Sequence, residues 1–277
     1  ATAVIYLLVK RHFGGEWRAL ASAAAFSLSL GAMSVVIFQR NYMAFLFCAA
    51  LSMYVHLNLL EPGAQLTKKR AAGAAAVTVL GFYTHYHYLF FALALFVICA
   101  WAFAARGEKK SAWRYFRAMV YAALISLVIW PASPVHLFLS YRGAEMLSGA
   151  GLAGFGSALY ENLRALYQSL CAYRVWAAVL FLAGAVLLLI RDKGRLKWAV
   201  ALIPSAFFFL AVTVIAPDYT FRYISPVLPA LAILIGCGVS ELLGALTKRW
   251  AAPAALIIVL LVGGLGIFTR DIFYTYP

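Results

Sequence analysis

Three short stretches of this 277-residue chain concentrate side chains that can bind a polar ligand. The richest runs from Tyr83 to Tyr88 and reads Tyr-Thr-His-Tyr-His-Tyr. A second, Gln39 to Tyr42, reads Gln-Arg-Asn-Tyr, and a third, Asp218 to Tyr223, reads Asp-Tyr-Thr-Phe-Arg-Tyr. Tyrosine and histidine offer hydrogen bonds on rigid rings, and the planar guanidinium of arginine matches phosphate oxygens. These residue types favour a ligand that carries hydroxyl groups or a phosphate.

The Tyr83 to Tyr88 stretch suits a sugar better than a metal ion. On a helix His85 and His87 would point to different faces, whereas in an extended turn they would share one. A metal site needs more than two ligands and no acidic residue is adjacent, so the spacing does not support a divalent metal and no cofactor is implied. We interpret Tyr83, His85, Tyr86 and His87 as a hydrogen-bonding surface for a sugar. An aromatic belt at the membrane interface is the alternative.

Two isolated arginines are candidates for phosphate binding. Arg222 lies just before a predicted helix with Pro226 in its first turn, so an anion there would meet a guanidinium and the positive end of a helix. Arg40 lies at a predicted helix–helix turn, where its guanidinium would meet a lipid phosphate. The alternatives are a snorkelling interfacial side chain for Arg40, and for Arg222 an ion pair with Asp218 that is worth ~0–1 kcal/mol if exposed.

The elements that must position these residues are apolar helices. The chain is 65% hydrophobic and 12% charged, which leaves too few polar residues to cover a soluble domain. Apolar runs near the roughly 20 residues that cross a bilayer recur along its length. The sequence predicts an all-α fold, a polytopic transmembrane helical bundle of about ten spans with the first one partial. The predicted apolar segments are 1–9, 18–37, 42–60, 71–84, 88–105, 115–131, 174–190, 198–216, 225–246 and 251–268.

Lysine and arginine are distributed unequally between alternate loops. Most of the 23 fall in every second loop, from the Lys10 and Arg11 pair to the Lys248 and Arg249 pair. The positive-inside rule assigns those loops to the cytoplasm and the three Tyr/His/Arg stretches to the outside. The net charge of +14 therefore indicates membrane topology and not nucleic-acid binding. We expect an integral protein of a bacterial cytoplasmic membrane, in contact with membrane lipids, with its site on the extracytoplasmic face.

Residues 1–277 are predicted to form a single transmembrane domain. Its longest external segment is 131–173, whose second half is predicted to be an interfacial amphipathic helix. Four leucines, from Leu159 to Leu170, fall on one face of that helix and Asn162 falls off it. The short first apolar segment predicts that a further span and an external loop lie upstream.

The order of these motifs resembles that of the polyprenyl-phosphate-sugar-dependent membrane glycosyltransferases of the GT-C class. The nearest likeness is to bacterial relatives of the dolichyl-phosphate-mannose protein mannosyltransferases and to the lipid A aminoarabinose transferase. Tyr6 to Gly14, followed by an alanine-rich helix, is similar to the family's second span and cytoplasmic turn. Ser34 to Tyr42 is similar to its turn ending in R-x-Y. Gly81 to Phe90 resembles its T-H-Y segment, and Phe221 to Pro229 its R-Y-x-x-P-x-x-P helix start.

This resemblance implies the transfer of a sugar from a polyprenyl-phosphate donor to a lipid, glycan or protein acceptor, with inversion. It implies that Arg222 and Arg40 bind the donor phosphate. The residues expected to line the sugar or acceptor are Tyr42, Tyr83, His85, Tyr86, His87, Asp218 and Tyr223. The family's catalytic aspartate lies in the first external loop, expected upstream of Ala1, so no catalytic residue is assigned.

A transporter or flippase of a lipid-linked sugar is the alternative function. Transporters carry ionisable groups at mid-membrane and are built from related halves. The middles of the predicted spans hold almost no charge, and no internal repeat is visible. These features favour the enzyme.

Overall fold

A computed structural model describes residues 1–38, 40–129, 131, 154–172, 174–215, 221–246 and 251–268. The described part is helical and contains no strand, which confirms the predicted all-α class. The helices are α1 (Thr2–Val9), α2 (Glu16–Ser27), α3 (Leu30–Phe38), α4 (Arg40–Leu59), α5 (Lys68–Thr84), α6 (Tyr88–Ala105), α7 (Lys109–Ile129), α8 (Phe155–Cys171), α9 (Val175–Arg191), α10 (Arg195–Ile215), α11 (Phe221–Ile224), α12 (Leu228–Leu246) and α13 (Ala251–Phe268). A π-helical turn (Lys10–Gly14) follows α1, and a 3-10 turn (Ser225–Val227) precedes α12.

Five of the described helices are long and apolar enough to cross a membrane, namely α4, α6, α7, α10 and α12. Two bent pairs, α2 with α3 and α8 with α9, would raise the number to seven if each pair formed one span. The chain is therefore a bundle of membrane-length helices, consistent with an integral membrane protein. The count of ten spans stays a prediction.

The predicted segment 18–37 is divided into α2 and α3, which meet at an angle of 58°. Two serine hydroxyls take over backbone hydrogen bonds at the break. Ser29 Oγ accepts from the amide of Ala32 (3.2 Å), and Ser169 Oγ in α8 accepts from the amide of Gly31 (3.0 Å). Because side-chain oxygens replace the helical acceptors, the helix bends here without proline.

The centre of one half of the bundle is α12, which packs against α2, α9 and α13. A Cβ atom on Gly184 of α9 would stand 2.6 Å from the carbonyl carbon of Gly238 in α12. The two backbones therefore meet directly, as small residues allow between membrane helices. In the other half α5 packs against α4 and α7, and α6 packs against α7 and α10.

The predicted basic loops that lie within the described residues gather at one end of the bundle, which we call the basic end. Arg11 makes a two-pronged ion pair with Glu61, with N–O distances of 2.8 and 2.9 Å. This hydrogen bonding lowers the pKa of the Glu61 carboxyl below its ordinary value. Glu241 in α12 accepts from Arg18 in α2 (2.7 Å) and lies 3.5 Å from Arg191 in α9. Ion pairs thus join neighbouring helices at this end.

Three arginines at the basic end donate to backbone carbonyls of the α4–α5 connection. Arg70, Arg106 and Arg114 reach carbonyl oxygens between residues 58 and 66, and the Arg106 bond is 2.8 Å long. A helix leaves its last carbonyls without helical partners, so these bonds complete the end of α4 and order the connection that follows.

Helix α8, predicted as an interfacial amphipathic helix, packs on the bundle mainly through small and polar residues. Its buried residues include Asn162, which donates to Thr213 Oγ1 of α10 at 2.8 Å. Leu163, on the predicted apolar face, is 52% exposed. The axes of α8 and α9 make an angle of 95°. The other three leucines, Leu159, Leu166 and Leu170, are half-buried and pack against the core, so the leucine face is partly in contact with protein.

Candidate functional site

The structure brings two of the three polar stretches into contact. Tyr42 lies in the first turn of α4, and His85 follows the last residue of α5. The hydroxyl of Tyr42 and Nε2 of His85 are 3.2 Å apart, and the ring centroids are 5.3 Å apart. About 24 Å of helix separates Tyr42 from Asn58 in α4, so this contact lies at the end of the bundle opposite the basic end.

The α5–α6 turn is extended at His85 and helical at His87, which has φ −63° and ψ −14°, and it places the two rings side by side. His85 has φ −164° and ψ 130°, and its ring centroid is 4.7 Å from that of His87. The backbone amide of His87 donates to His85 Nδ1 at 3.2 Å. Because Nδ1 accepts, the hydrogen-bond network assigns the proton of the neutral ring to Nε2, which donates to Tyr42.

Tyr223 adds the third stretch to this contact. Its ring centroid lies 6.1 Å from that of Tyr42, 6.3 Å from that of His85 and 6.1 Å from that of His87. The interplanar angles of 64° to 81° are those of edge-to-face packing. Segments far apart in the chain therefore converge on one site.

One further residue, Phe45, completes what we call the aromatic cluster. The cluster consists of Tyr42, Phe45, His85, Tyr86, His87 and Tyr223. Phe45 is buried and stacks under His85 with ring centroids 5.7 Å apart, and Tyr86 stacks on His85 at 4.8 Å. His85, Tyr86 and Tyr223 are half-buried and form the accessible layer. Sequence reasoning missed Phe45 because a phenylalanine in an apolar span carries no signal of its own.

Of the remaining predicted residues, Tyr83 does not join this contact. Tyr83 is 67% exposed, because α5 is still helical there and carries the side chain away from the cluster. Asp218 lies outside the described residues. For Arg40 and Arg222 the structure describes the backbone only. Arg40 lies two residues before Tyr42, and Arg222 lies directly before Tyr223.

A row of buried polar side chains extends from the cluster into the bundle. Phe45 contacts Tyr88, whose hydroxyl is hydrogen-bonded to Ser52 Oγ. The carbonyl of Ser52 lies 2.8 Å from His56 Nδ1, and in the described part of the chain His56 Nε2 is buried without a hydrogen-bond partner. Gly81 leaves room for the Tyr88 ring, which would collide with any Cβ atom at that position.

An apolar cavity of about 450 Å³ adjoins the cluster between α5, α6 and α7. Tyr86 belongs to both, since its ring lines the cavity and stacks on His85. The other lining residues are mostly apolar, from Phe82 in α5 to Leu127 in α7. The volume lies within the range of small-molecule sites, roughly 300–1,000 Å³. A polar surface and an apolar cavity are therefore contiguous.

Among the described residues, no three His, Cys, Asp or Glu side chains are close enough together to hold a metal ion. Comparison of the chain with protein-family models, with curated proteins and with solved structures gave no significant match.

Proposed function

We propose that this protein is a membrane glycosyltransferase that transfers a sugar from a polyprenyl-phosphate donor to an acceptor hydroxyl. One observation carries the proposal: Tyr42, His85 and Tyr223, from three separate turns, are in mutual contact at one end of a bundle of membrane-length helices. A donor of this kind needs a polar surface for its sugar and an apolar region for its chain, next to each other at a membrane interface.

The accessible layer of the aromatic cluster suits a sugar. Hydroxyl and imidazole groups pair with sugar hydroxyls, and aromatic faces pack against the C–H faces of a sugar ring. His85 and Tyr223 are half-buried, so they are reachable and still held in place by buried neighbours. A ligand site of this type combines apolar packing with a few fixed polar groups.

The apolar cavity suits the hydrocarbon of the donor. Tyr86 lies where the polar cluster ends and the cavity between α5 and α7 begins. A polyprenyl chain in the cavity would place the attached phosphate beside this ring. Arg40 and Arg222, whose backbones adjoin cluster residues, are the arginines proposed to bind that phosphate.

The proposed reaction is a single displacement with inversion. The acceptor oxygen forms a bond to the anomeric carbon, the bond from that carbon to the phosphate oxygen breaks, and the phosphate leaves with the electron pair. A carboxylate takes the acceptor proton. Arg222 stabilises the negative charge that develops on the leaving phosphate.

The test uses membranes that contain the protein and a panel of polyprenyl-phosphate sugars with labelled sugar. We expect sugar transfer and release of polyprenyl phosphate from one donor. Arg222→Ala should lower the rate about 100-fold or more, the usual effect of removing one charge-stabilising donor. Tyr83→Phe, an exposed position outside the cluster, is the matched control and should leave the rate unchanged.

The same membranes distinguish the alternative function. A flippase would move the labelled donor to the opposite leaflet of a sealed vesicle without releasing polyprenyl phosphate. That result, or full activity in Arg222→Ala, would exclude the proposed transferase mechanism.

A further inference from the structure

A second groove runs along the outside of the bundle between α5 and α7, away from the aromatic cluster. It encloses about 790 Å³. Its walls are exposed alanines of α5, Ala72 and Ala76, together with Leu80 and, on α7, Tyr121 and Ile125. Helix α7 has the lowest share of buried residues among the five membrane-length helices, 17%. The groove is therefore an apolar surface that faces the bilayer.

The basic end of this groove is positively charged. Lys68, Arg114 and Arg117 line it together with the apolar walls. In the described part of the chain none of the three forms an ion pair with a carboxylate. Glu61 and Glu241, which also lie at the basic end of the bundle, pair with other arginines. The groove thus keeps an uncompensated positive charge.

The length of the groove matches one leaflet of a bilayer. From Lys68 to Leu80 the helix rises about 18 Å, and from Arg117 to Ile125 about 12 Å. Half of the hydrocarbon thickness of a bilayer is about 15 Å. A lipid of that leaflet would have its headgroup at the charges and its acyl chain along the alanines.

We propose that this groove is a binding site for an anionic phospholipid of the leaflet on the basic side. The phosphate lies between Lys68 and Arg117, and one acyl chain follows the α5 face that Ala72 and Ala76 leave open. Basic pockets between membrane helices recognise such headgroups. Charge selects the anionic lipid, and the apolar walls select a lipid over a soluble phosphate. The site is independent of the proposed transferase activity.

The test measures lipid retention by the intact protein in mild detergent. Phosphatidylglycerol and phosphatidylcholine with identical acyl chains are added separately, and bound lipid is counted by native mass spectrometry. We expect a preference for phosphatidylglycerol of about tenfold or more, which Lys68→Ala/Arg117→Ala removes. Arg114 is left unchanged because it also donates to the Leu66 carbonyl. The control Lys69→Ala/Lys110→Ala removes the same charge outside the groove and should keep the preference.

A second pair of variants tests the apolar part. Ala76→Trp fills the groove from an exposed position and should reduce the retention of both lipids. Val128→Trp, at an 81% exposed position of α7 outside the groove, should not. The proposal is overturned if the wild-type protein shows no preference, or if the charge control loses it equally. It is also overturned if glycerol 3-phosphate displaces the lipid, or if Ala76→Trp changes the oligomeric mass and not the lipid count.

Discussion

Nε2 of His85 lies 3.2 Å from the hydroxyl oxygen of Tyr42, although 43 positions separate the two residues. The His87 amide occupies Nδ1 of the same ring, so the imidazole donates in one direction only. The α5–α6 turn is thereby joined to the beginning of α4 by a hydrogen bond from a neutral histidine. Tyr223 packs edge-on against both rings.

Tyr42→Phe should separate the role of this hydrogen bond from that of ring packing. The variant keeps the buried ring and loses the hydroxyl that accepts from His85. We expect a loss of about 1 kcal/mol of unfolding free energy, the net value of a typical hydrogen bond. We also expect transfer to fall. Thermal unfolding in detergent measures the first effect and the donor-release assay the second. Tyr83→Phe is the exposed control. Equal stability and activity of the two variants would contradict the role assigned to the Tyr42–His85 hydrogen bond.

Gly81→Ala should destabilise the α5–α6 contact. The added Cβ atom would collide with the ring of Tyr88, which is fully buried and hydrogen-bonded to Ser52. Forcing an extra carbon into a packed interior costs about 1–3 kcal/mol. The measurement is the shift in unfolding midpoint.

Gly73→Ala is the matched control in the same helix. No atom lies within 4 Å of a Cβ atom at Gly73, and alanine is a better helix former than glycine by about 1 kcal/mol. This variant should be as stable as the wild type or more so. If both glycine variants changed the unfolding midpoint alike, the effect of Gly81→Ala on stability would come from helix propensity and not from the contact with Tyr88.

The Arg11–Glu61 ion pair should make stability depend on pH in the acidic range. Hydrogen bonding from Arg11 lowers the folded-state pKa of Glu61 below its ordinary value of 4.5. Its contribution is thus fully present above that value and is lost as pH falls through the lowered pKa. The pair is partly exposed, so we expect about 1 kcal/mol or less. Unfolding midpoints from about pH 6 to about pH 3 should fall less steeply for Glu61→Gln than for the wild type.

Glu108→Gln supplies the comparison for this pH series. Glu108 precedes α7 and forms no ion pair in the described part of the chain. Its variant should follow the wild-type profile. Parallel profiles for Glu61→Gln and the wild type would show that the ion pair contributes nothing.

Asn162 and Thr213 should show energetic coupling between α8 and α10. Their hydrogen bond is buried, so Thr213→Val removes the acceptor of the Asn162 amide, whereas Asn162→Ala leaves the Thr213 hydroxyl its bond to the Phe209 carbonyl at 2.7 Å. Asn162→Ala and Thr213→Val should each cost about 1–3 kcal/mol, and the double variant less than the sum. A double-mutant cycle of unfolding free energies measures the difference. Leu163→Ala, on the exposed side of α8, is the control; strict additivity would contradict the coupling.

Helices with continuous apolar runs could be predicted almost to the residue. The predicted segments 88–105 and 251–268 coincide with α6 and α13, because polar or charged residues bound these apolar runs on the chain itself. The break at Ser29 could not be predicted, since it depends on hydroxyls that replace helical hydrogen bonds, one of them from α8. Apolar composition reports the length of a helix and not its straightness.

The site could be predicted as a set of turns but not as a set of contacts. Topology placed Tyr42, His85 and Tyr223 on one face, and the structure brings them together. The buried contact of Asn162 with Thr213 could not be predicted, because Asn162 falls off the leucine face of the predicted interfacial helix. In a membrane bundle leucines can face lipid while small and polar residues such as Asn162 face protein.

The arginines that donate to carbonyls of the α4–α5 connection act twice, first during membrane insertion and then in the folded protein. During biogenesis, positive charge retains a loop on the side where it was made. After folding, Arg70 and Arg106 donate to carbonyls at the end of α4 with the same groups, and Arg114 donates to the Leu66 carbonyl before α5. Orientation and folded stability are therefore encoded in the same atoms. Replacing these arginines to invert the chain would also weaken the native protein. Within the described residues Lys109 and Lys110 make no such side-chain bond, so they can be altered for orientation alone.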